Sequence, residues 1–316
     1  MGPLEVPTNL DPIMLHRLEF RAMGCEMLAA IDADSRPALL SKVPEWFEEW
    51  EQALSRFRFD SELMRLNRTR EQPVSVSETL WDVLQTACRA EKLTDGLVTP
   101  SLLDAILEAG YDRPFDVLPH QTAHRPTPNL TASLPMTAIT IDDRNRTVTL
   151  PAGMSLDFGG VAKGWAAHQA MKRLQAEGPA LMNAGGDIAI SGSRADGSPW
   201  PIGITNPFAP AEEIEILLLK AGGVATSGKD RRRWMRNGVL QHHIIDPLTN
   251  QPAATDLLTV TVIAPDVMEA EALAKATFIL GSRAGHEWIE ARTHLAALFS
   301  LDNGQVLYSH KMEEFL

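Results

Sequence analysis

The hydrophobic positions of this chain recur at two different spacings, which predicts both helices and strands. Trp46, Trp50, Leu54 and Phe57 follow one another at intervals of three or four residues after Pro44. This spacing is typical of a helix, and a proline fits its first turn. We therefore predict a helix that begins near Pro44, and we expect its tryptophans to pack in the core rather than to form a platform for a ligand.

Further helices are indicated by a cap and by the same spacing. Ser77 fits the N-cap position, and Leu80, Leu84 and Ala87 would face inward from the helix that it starts. Three more helices are predicted over residues 102–108, 161–178 and 269–280.

Short apolar runs broken by turn residues predict strands and hairpins. Residues 18–31 are expected to form a strand pair or a single strand, with the bend at Met23-Gly24. Hairpins are expected over residues 139–150 and 295–309. Single strands are expected over residues 188–191, 200–205, 214–219, 242–245 and 258–263. Because helices and hairpins are mixed without a regular alternation, the pattern favours an α+β fold over a doubly wound sheet.

Three glycine corners lie at the ends of predicted strands. The first is D-F-G-G-V-A-K-G at residues 157–164, the second covers residues 183–187, and the third covers residues 222–228. Glycine lets the backbone approach a bulky ligand, and the start of a helix offers unpaired N–H groups to a phosphate. The alternative is a tight turn between a strand and a helix, in which glycine is needed only for the backbone dihedral angles and binds no ligand. Three such corners together indicate one binding site.

Composition and charge narrow the range of functions. A formal net charge of −12 over 316 residues argues against nucleic acid as a general partner. Cys25 and Cys88 form neither a disulfide framework nor a zinc motif, so we expect a reducing compartment, the cytoplasm. No run of eighteen apolar residues is present, and we expect no membrane partner.

Two segments are expected to lie outside the regular structure. Residues 1–15 are predicted to form a loose N-terminal arm. Residues 112–136 contain five prolines and are predicted to form a long loop or a junction between lobes. His120 and His124 in that loop are metal ligands by residue type, but a proline-broken loop does not fix them, so we do not favour a metal site there.

Several polar residues are candidates for chemistry. A histidine ordinarily titrates near neutrality, which makes His243 a candidate general base. Asp246 follows it at a turn fixed by proline, where it could orient the imidazole. The alternative is a histidine that only caps a strand. Glu271 and Lys275 have the spacing of an intrahelical ion pair, although a glutamate could also hold a cation. The basic run at residues 229–236 is either a phosphate clamp or a solvated turn.

Six segments in this order resemble the ApbE family of FAD:protein FMN transferases. They are residues 23–24, 55–67, 96–100, 157–164, 183–187 and 225–247. The resemblance implies an α+β fold of antiparallel sheets flanked by helices, as a single domain over residues 16–310, with two lobes and FAD in the cleft between them. It also implies Mg²⁺ on the diphosphate, and transfer of FMN from FAD to a threonine or serine of an acceptor flavoprotein with release of AMP.

Roles are implied by the same resemblance, position by position. His243 would take the proton from the incoming hydroxyl. Gly160, Glu271 and Lys275 stand at the metal positions. The nucleotide would be bound by Met23, Phe57, Leu97, Val98, Thr99, Asp157, Lys163, Thr226 and Ser227.

The sequence departs from the family pattern at the metal positions. Glu271 and Lys275 stand where the family normally has aspartate and threonine, Cys25 replaces a threonine, and Thr99 replaces an aspartate. A charged lysine cannot ligate a cation. We therefore keep two alternatives to transfer: an FAD-binding carrier or regulator without transferase activity, and a metal-dependent FAD hydrolase in which water replaces the hydroxyl.

Overall fold

The structure is a computed structural model that describes residues 15–122 and 133–316. Residues 1–14 of the predicted arm, residues 123–132 of the proline-rich segment and His124 lie outside the described residues. The division into lobes, with a junction at residues 112–136, stays a prediction.

The described residues form strands and helices in mixed order. The helices are α1 (Val43–Leu54), α2 (Glu62–Arg68), α3 (Glu78–Leu93), α4 (Leu103–Glu108), α5 (Ala162–Leu174) and α6 (Val267–Glu290). The strands are β1 (Leu15–Ala22), β2 (Cys25–Asp32), β3 (Val74–Ser75), β4 (Gln121–Thr122), β5 (Thr140–Asp142), β6 (Thr147–Thr149), β7 (Ala180–Ala184), β8 (Asp187–Ile190), β9 (Trp200–Asn206), β10 (Ala209–Leu219), β11 (Gly222–Gly228), β12 (Arg233–Arg236), β13 (Val239–His242), β14 (Ile245–Asp246), β15 (Gln251–Pro252), β16 (Leu257–Ala264), β17 (Ala296–Leu301) and β18 (Val306–Tyr308).

An eight-stranded sheet organises the described part of the chain. Its order is β1-β2-β7-β8-β11-β16-β17-β18, and every neighbouring pair is antiparallel. One face packs against α1, α3, α5 and α6, while the other packs against the β9–β10 hairpin. Successive side chains of β2 point to opposite faces of the sheet. Ala29 and Ile31 therefore pack in the core under the helices, and Ala30 packs in the core under the β9–β10 hairpin. The predicted α+β class is confirmed.

Several sequence predictions are confirmed in detail. Met23 and Gly24 both have positive φ angles, of 48° and 68°, which closes the β1–β2 strand pair with two residues at the predicted bend. Ser77 caps α3 by accepting a hydrogen bond from the Leu80 amide. The hairpins β5–β6 and β17–β18 form as the alternation predicted.

The predicted apolar face of α1 is partly wrong. The helix ends at Leu54 because Ser55 adopts an extended conformation. Phe57 therefore leaves the helix and is 39% exposed, and Phe47 takes its place on the buried face beside Trp50 and Leu54. Phe57 is free to contact a ligand.

Three other boundaries differ from the prediction. α5 ends at Leu174, not at residue 178. The predicted strand 242–245 is divided between β13 and β14, because His242 Nδ1 accepts a hydrogen bond from the Ile244 amide and closes a turn. α6 runs beyond residue 280 to Glu290, with a kink at Gly281, where φ is 82°. None of the helices in the described ranges is long and apolar enough to cross a membrane.

Candidate active site

A cavity of about 420 Å³ lies beside the start of α5, within the size range of small-molecule sites. It brings together the Met23-Gly24 turn, the segment after α1, the turn after α3, the first glycine corner and α6. The sequence-predicted residues that line it are Met23, Phe57, Leu97, Val98, Thr99, Asp157, Gly160, Lys163, His243 and Lys275.

The wall formed by the β1–β2 turn is tied to the end of α1. The Met23 amide donates a hydrogen bond of 2.9 Å to Glu51 Oε2. Arg232 Nη2 donates to the Gly24 carbonyl at 3.3 Å and to Cys25 Sγ at 2.9 Å. The turn is therefore held from both sides, and the Arg232 guanidinium is placed at the cavity.

A second wall is fixed by a buried ion pair. Arg56 Nε lies 2.6 Å from Asp157 Oδ2, and Asp157 Oδ1 accepts a hydrogen bond from the Gly159 amide. Arg56 also donates to the Tyr111 carbonyl at 2.7 Å. The Asp157 carboxylate thus shapes the glycine corner and faces the cavity that it lines.

Aromatic rings line the cavity near this ion pair. The Arg56 guanidinium carbon lies 4.0 Å from the centre of the Phe57 ring and 4.5 Å from that of Tyr111. The two rings are 5.7 Å apart. Tyr111 and Arg56 were not among the predicted ligand contacts. Tyr111 belongs to no periodic pattern, although it is one of only two tyrosines in the chain.

Two lysines and two carboxylates form the wall beneath the first turn of α5. Lys163 Nζ is paired with Asp187 Oδ2 and lies 3.8 Å from Glu271 Oε1. Lys275 Nζ lies 3.0 Å from the same Glu271 oxygen, as the four-residue spacing predicted. The carboxylate side chains are at most 2% exposed, whereas both lysines line the cavity.

Glu271 also anchors the start of α5. Its Oε2 accepts a hydrogen bond of 2.9 Å from the Gly164 amide, one of the N–H groups that a helix leaves unpaired in its first turn. A Cβ atom at position 164 would lie 2.7 Å from this oxygen, so glycine is required for the approach. The last glycine of the 157–164 corner thus serves packing against Glu271.

Burial and the opposite charges of neighbouring side chains shift the pKa values of Lys163, Glu271 and Asp187 in opposite directions. Burial would lower the pKa of Lys163, but the carboxylates of Asp187 and Glu271 outweigh it and raise that pKa. Burial would raise the pKa of Glu271, but Lys275 and Lys163 lower it below its ordinary value. Burial raises the pKa of Asp187 to about 6, against the attraction of Lys163. Lys163 is charged at neutral pH, and so is Glu271.

His243 lines the cavity, and one of its ring nitrogens has no hydrogen-bond partner among the described residues. This nitrogen, Nδ1, is buried. Burial, followed by the positive charge of Arg232, lowers the pKa of His243 well below 6.5. The predicted role of Asp246 in orienting this ring is wrong, because Asp246 Oδ1 instead accepts the Leu248 amide in the following turn. His243 is a neutral imidazole that can accept a proton.

The basic run at residues 229–236 does not act as one clamp. Arg233 to Arg236 form β12, in which Trp234 is buried and Arg236 is paired with Glu108 at 3.1 Å. Arg232, just before the strand, lines the cavity. The alternation of β12 thus turns part of the run towards the protein interior.

Thr226 and Ser227 are not brought to the cavity. Both lie in β11; Thr226 Oγ1 is 2.8 Å from Thr261 Oγ1, and Ser227 is buried in the sheet. Neither belongs to the cavity lining. Their predicted nucleotide contacts therefore stay predictions without a geometric basis in this structure.

The donors at the metal positions do not fit a divalent cation. Both Glu271 oxygens already accept hydrogen bonds, from Lys275 and from the Gly164 amide. A Cβ atom at position 160 would lie 3.5 Å from Lys275 Cε, so the lysine side chain runs alongside Gly160. Within residues 15–122 and 133–316, no group of three His, Cys, Asp or Glu side chains is arranged to hold a metal.

Comparison with known proteins identifies the family. The model of the ApbE family matches residues 23–299. An FAD:protein FMN transferase of Treponema pallidum is 32% identical over 77% of this chain and 72% of its own, and one of Vibrio cholerae is 31% identical over 82% and 78%. The crystal structure of an ApbE protein from Thermotoga maritima superposes with a TM-score of 0.83 at 26% identity, covering 96% of this chain and 99% of that one. The chain belongs to the ApbE family.

Proposed function

We propose that this protein is an FAD:protein FMN transferase, which moves FMN from FAD to a threonine or serine hydroxyl of an acceptor flavoprotein and releases AMP. The observation that carries the proposal is that His243, whose buried Nδ1 lacks a partner among the described residues, lines the same cavity as Lys163 and Lys275. A neutral base beside fixed positive charge is what transfer of a phosphoryl group to a hydroxyl requires.

The two kinds of surface in the cavity match the two parts of FAD. Phe57, Tyr111 and Leu97 offer apolar area to a flavin or adenine ring. Lys163, Lys275 and Arg232 offer positive charge to the diphosphate. We expect the rings to lie against the first set and the phosphates against the second.

The proposed reaction is a single displacement at phosphorus. The acceptor hydroxyl oxygen attacks the phosphorus of the FMN half, and the bond from that phosphorus to the bridging oxygen breaks. The bridging oxygen leaves on AMP. The hydroxyl proton passes to the imidazole of His243, which is neutral because its pKa is lowered by burial and by the neighbouring cations. The acceptor then carries FMN through a phosphodiester bond.

No step of the proposed reaction uses magnesium. Glu271 accepts hydrogen bonds from Lys275 and from the Gly164 amide, and the Lys275 ammonium offers no ligand to a cation. Lysine and arginine side chains therefore balance the charge of the diphosphate.

We also propose a reducing compartment, the cytoplasm, as the place of the reaction. Cys25 and Cys88 are both free thiols, and thiols persist in reducing compartments. Detection of the tagged protein in the membrane or secreted fraction of its host cell would argue against this location.

The function is tested by following AMP release from FAD with and without an acceptor flavoprotein. A transferase releases AMP only as the acceptor becomes labelled. AMP and free FMN without an acceptor would instead show a hydrolase, and stable FAD binding without AMP would show a carrier.

A further inference from the structure

The wall beneath α5 has its charges in a definite order from the interior to the cavity. The Glu271 and Asp187 side chains are 1% and 2% exposed and lie inside. The Lys163 and Lys275 side chains are 16% and 15% exposed, and both line the cavity. A bound ligand therefore meets ammonium groups, with the carboxylates behind them. This order is the reverse of what a cation site needs.

Among residues 15–122 and 133–316, the ammonium of Lys275 has one hydrogen-bond partner. Its partner is Glu271 Oε1 at 3.0 Å, and its methylene groups pass close to Gly160. An ammonium has three donors, so two more can point to a ligand. Lys163, which shares the same carboxylate, holds the neighbouring position.

The positive charges converge next to the proposed base. Arg232, Lys275 and Lys163 all contribute to lowering the pKa of His243, after burial. All three cations line the same cavity as His243. Positive charge fixed at that place stabilises charge that develops on phosphate oxygens during transfer.

We infer that the Lys275 ammonium, together with Lys163, takes the place of a divalent cation on the diphosphate of FAD, so that this protein binds FAD and transfers FMN without a metal ion. The inference rests on the proposed function, because it assigns the charge partner of the same diphosphate. It follows from the geometry: both Glu271 oxygens already accept hydrogen bonds, and the ammonium groups line the cavity.

The test is FAD binding in excess EDTA and in MgCl₂, measured by quenching of flavin fluorescence on the purified protein. We expect equal affinity in the two buffers. Lys275→Ala should weaken FAD binding in EDTA by roughly 10- to 100-fold, as expected for a lost charged hydrogen bond, while Lys275→Arg should retain most of it. Binding of riboflavin, which has no phosphate, should be the same in the wild type and in Lys275→Ala.

Matched controls separate this effect from unfolding. Lys172→Ala changes an exposed lysine of α5 and should leave FAD binding unchanged. Riboflavin binding reports whether the Lys275→Ala cavity is intact. Electron paramagnetic resonance of Mn²⁺ added to the protein with FAD should show no ion bound beyond what free FAD binds.

The outcomes distinguish this inference from the proposed function. Equal FAD affinity in both buffers, with selective loss in Lys275→Ala, supports the inference. FAD binding or AMP release that requires MgCl₂ overturns it and leaves the transferase function standing. Failure to bind FAD in either buffer overturns both.

Discussion

Arg56 and Asp157 form a buried ion pair that joins two distant segments of the chain at the cavity. Their side chains are 7% and 8% exposed, and Arg56 Nε lies 2.6 Å from Asp157 Oδ2. Because Arg56 also bonds to the Tyr111 carbonyl, the pair fixes the segment after α1, the segment after α4 and the glycine corner relative to one another. The shape of the cavity depends on this contact.

The first prediction concerns stability. Asp157→Asn leaves the Arg56 charge buried without a counter-charge, so the free energy of unfolding should fall by about 3 to 5 kcal/mol. Urea unfolding followed by circular dichroism measures it. Glu287→Gln breaks the exposed Arg283–Glu287 pair and should change the free energy little. Similar small effects of both substitutions would show that the buried pair is not structural.

The second prediction concerns the aromatic wall. Phe57→Ala should weaken FAD binding about tenfold, because a ring that packs against the ligand is lost. Phe59→Ala is the matched control, since Phe59 is 79% exposed and does not line the cavity. Isothermal titration with FAD measures both variants. Equal affinity of the two variants would remove Phe57 from the binding site.

The third prediction separates catalysis from binding. His243→Gln should lower the rate of FMN transfer by about 10²- to 10⁴-fold, the range expected for loss of a general base. FAD affinity should stay within a few-fold of the wild type, because cations and rings carry the binding. His294→Gln, at an exposed histidine near Glu269, should retain full activity. Loss of FAD binding in His243→Gln would assign the residue to binding instead.

The fourth prediction concerns pH and follows from the lowered pKa of His243. Below pH of about 6.5 the unfolded chain takes up a proton at this residue, whereas the folded protein does not, so unfolding becomes more favourable as pH falls. His243→Gln removes this contribution. The difference in unfolding free energy between variant and wild type should therefore shift in favour of the variant between pH 7.5 and pH 5.5, two values chosen to bracket the ordinary histidine pKa of about 6.5. A constant difference would mean that His243 titrates alike in both states.

Much of the fold could be predicted because the relevant signals are local. The Met23-Gly24 turn, the Ser77 cap and the β17–β18 hairpin each depend on a few adjacent residues. The end of α1 could not be placed, because the spacing of Phe57 continues the helical pattern while Ser55 interrupts the backbone. The spacing of hydrophobic side chains does not show at which residue the backbone leaves the helical conformation.

Site residues could be predicted where the residue type and the local spacing indicated a role. They were missed where the role depends on a contact between segments distant in the sequence. The spacing of Glu271 and Lys275 correctly predicted their ion pair. It did not predict that the Glu271 carboxylate is buried, because that depends on Gly164, more than a hundred residues away. Arg56 and Tyr111 depend on a similar long-range contact.

The most direct test of the central claim is the intact mass of a purified acceptor flavoprotein after incubation with this protein and FAD, compared with incubation with the His243→Gln variant. We predict that the wild type adds one FMN through a phosphodiester bond, which peptide mapping places on a threonine or serine, and that the variant leaves the acceptor unlabelled over the same time. An acceptor that stays unlabelled by the wild type, under conditions in which an active ApbE relative labels it, would contradict the account.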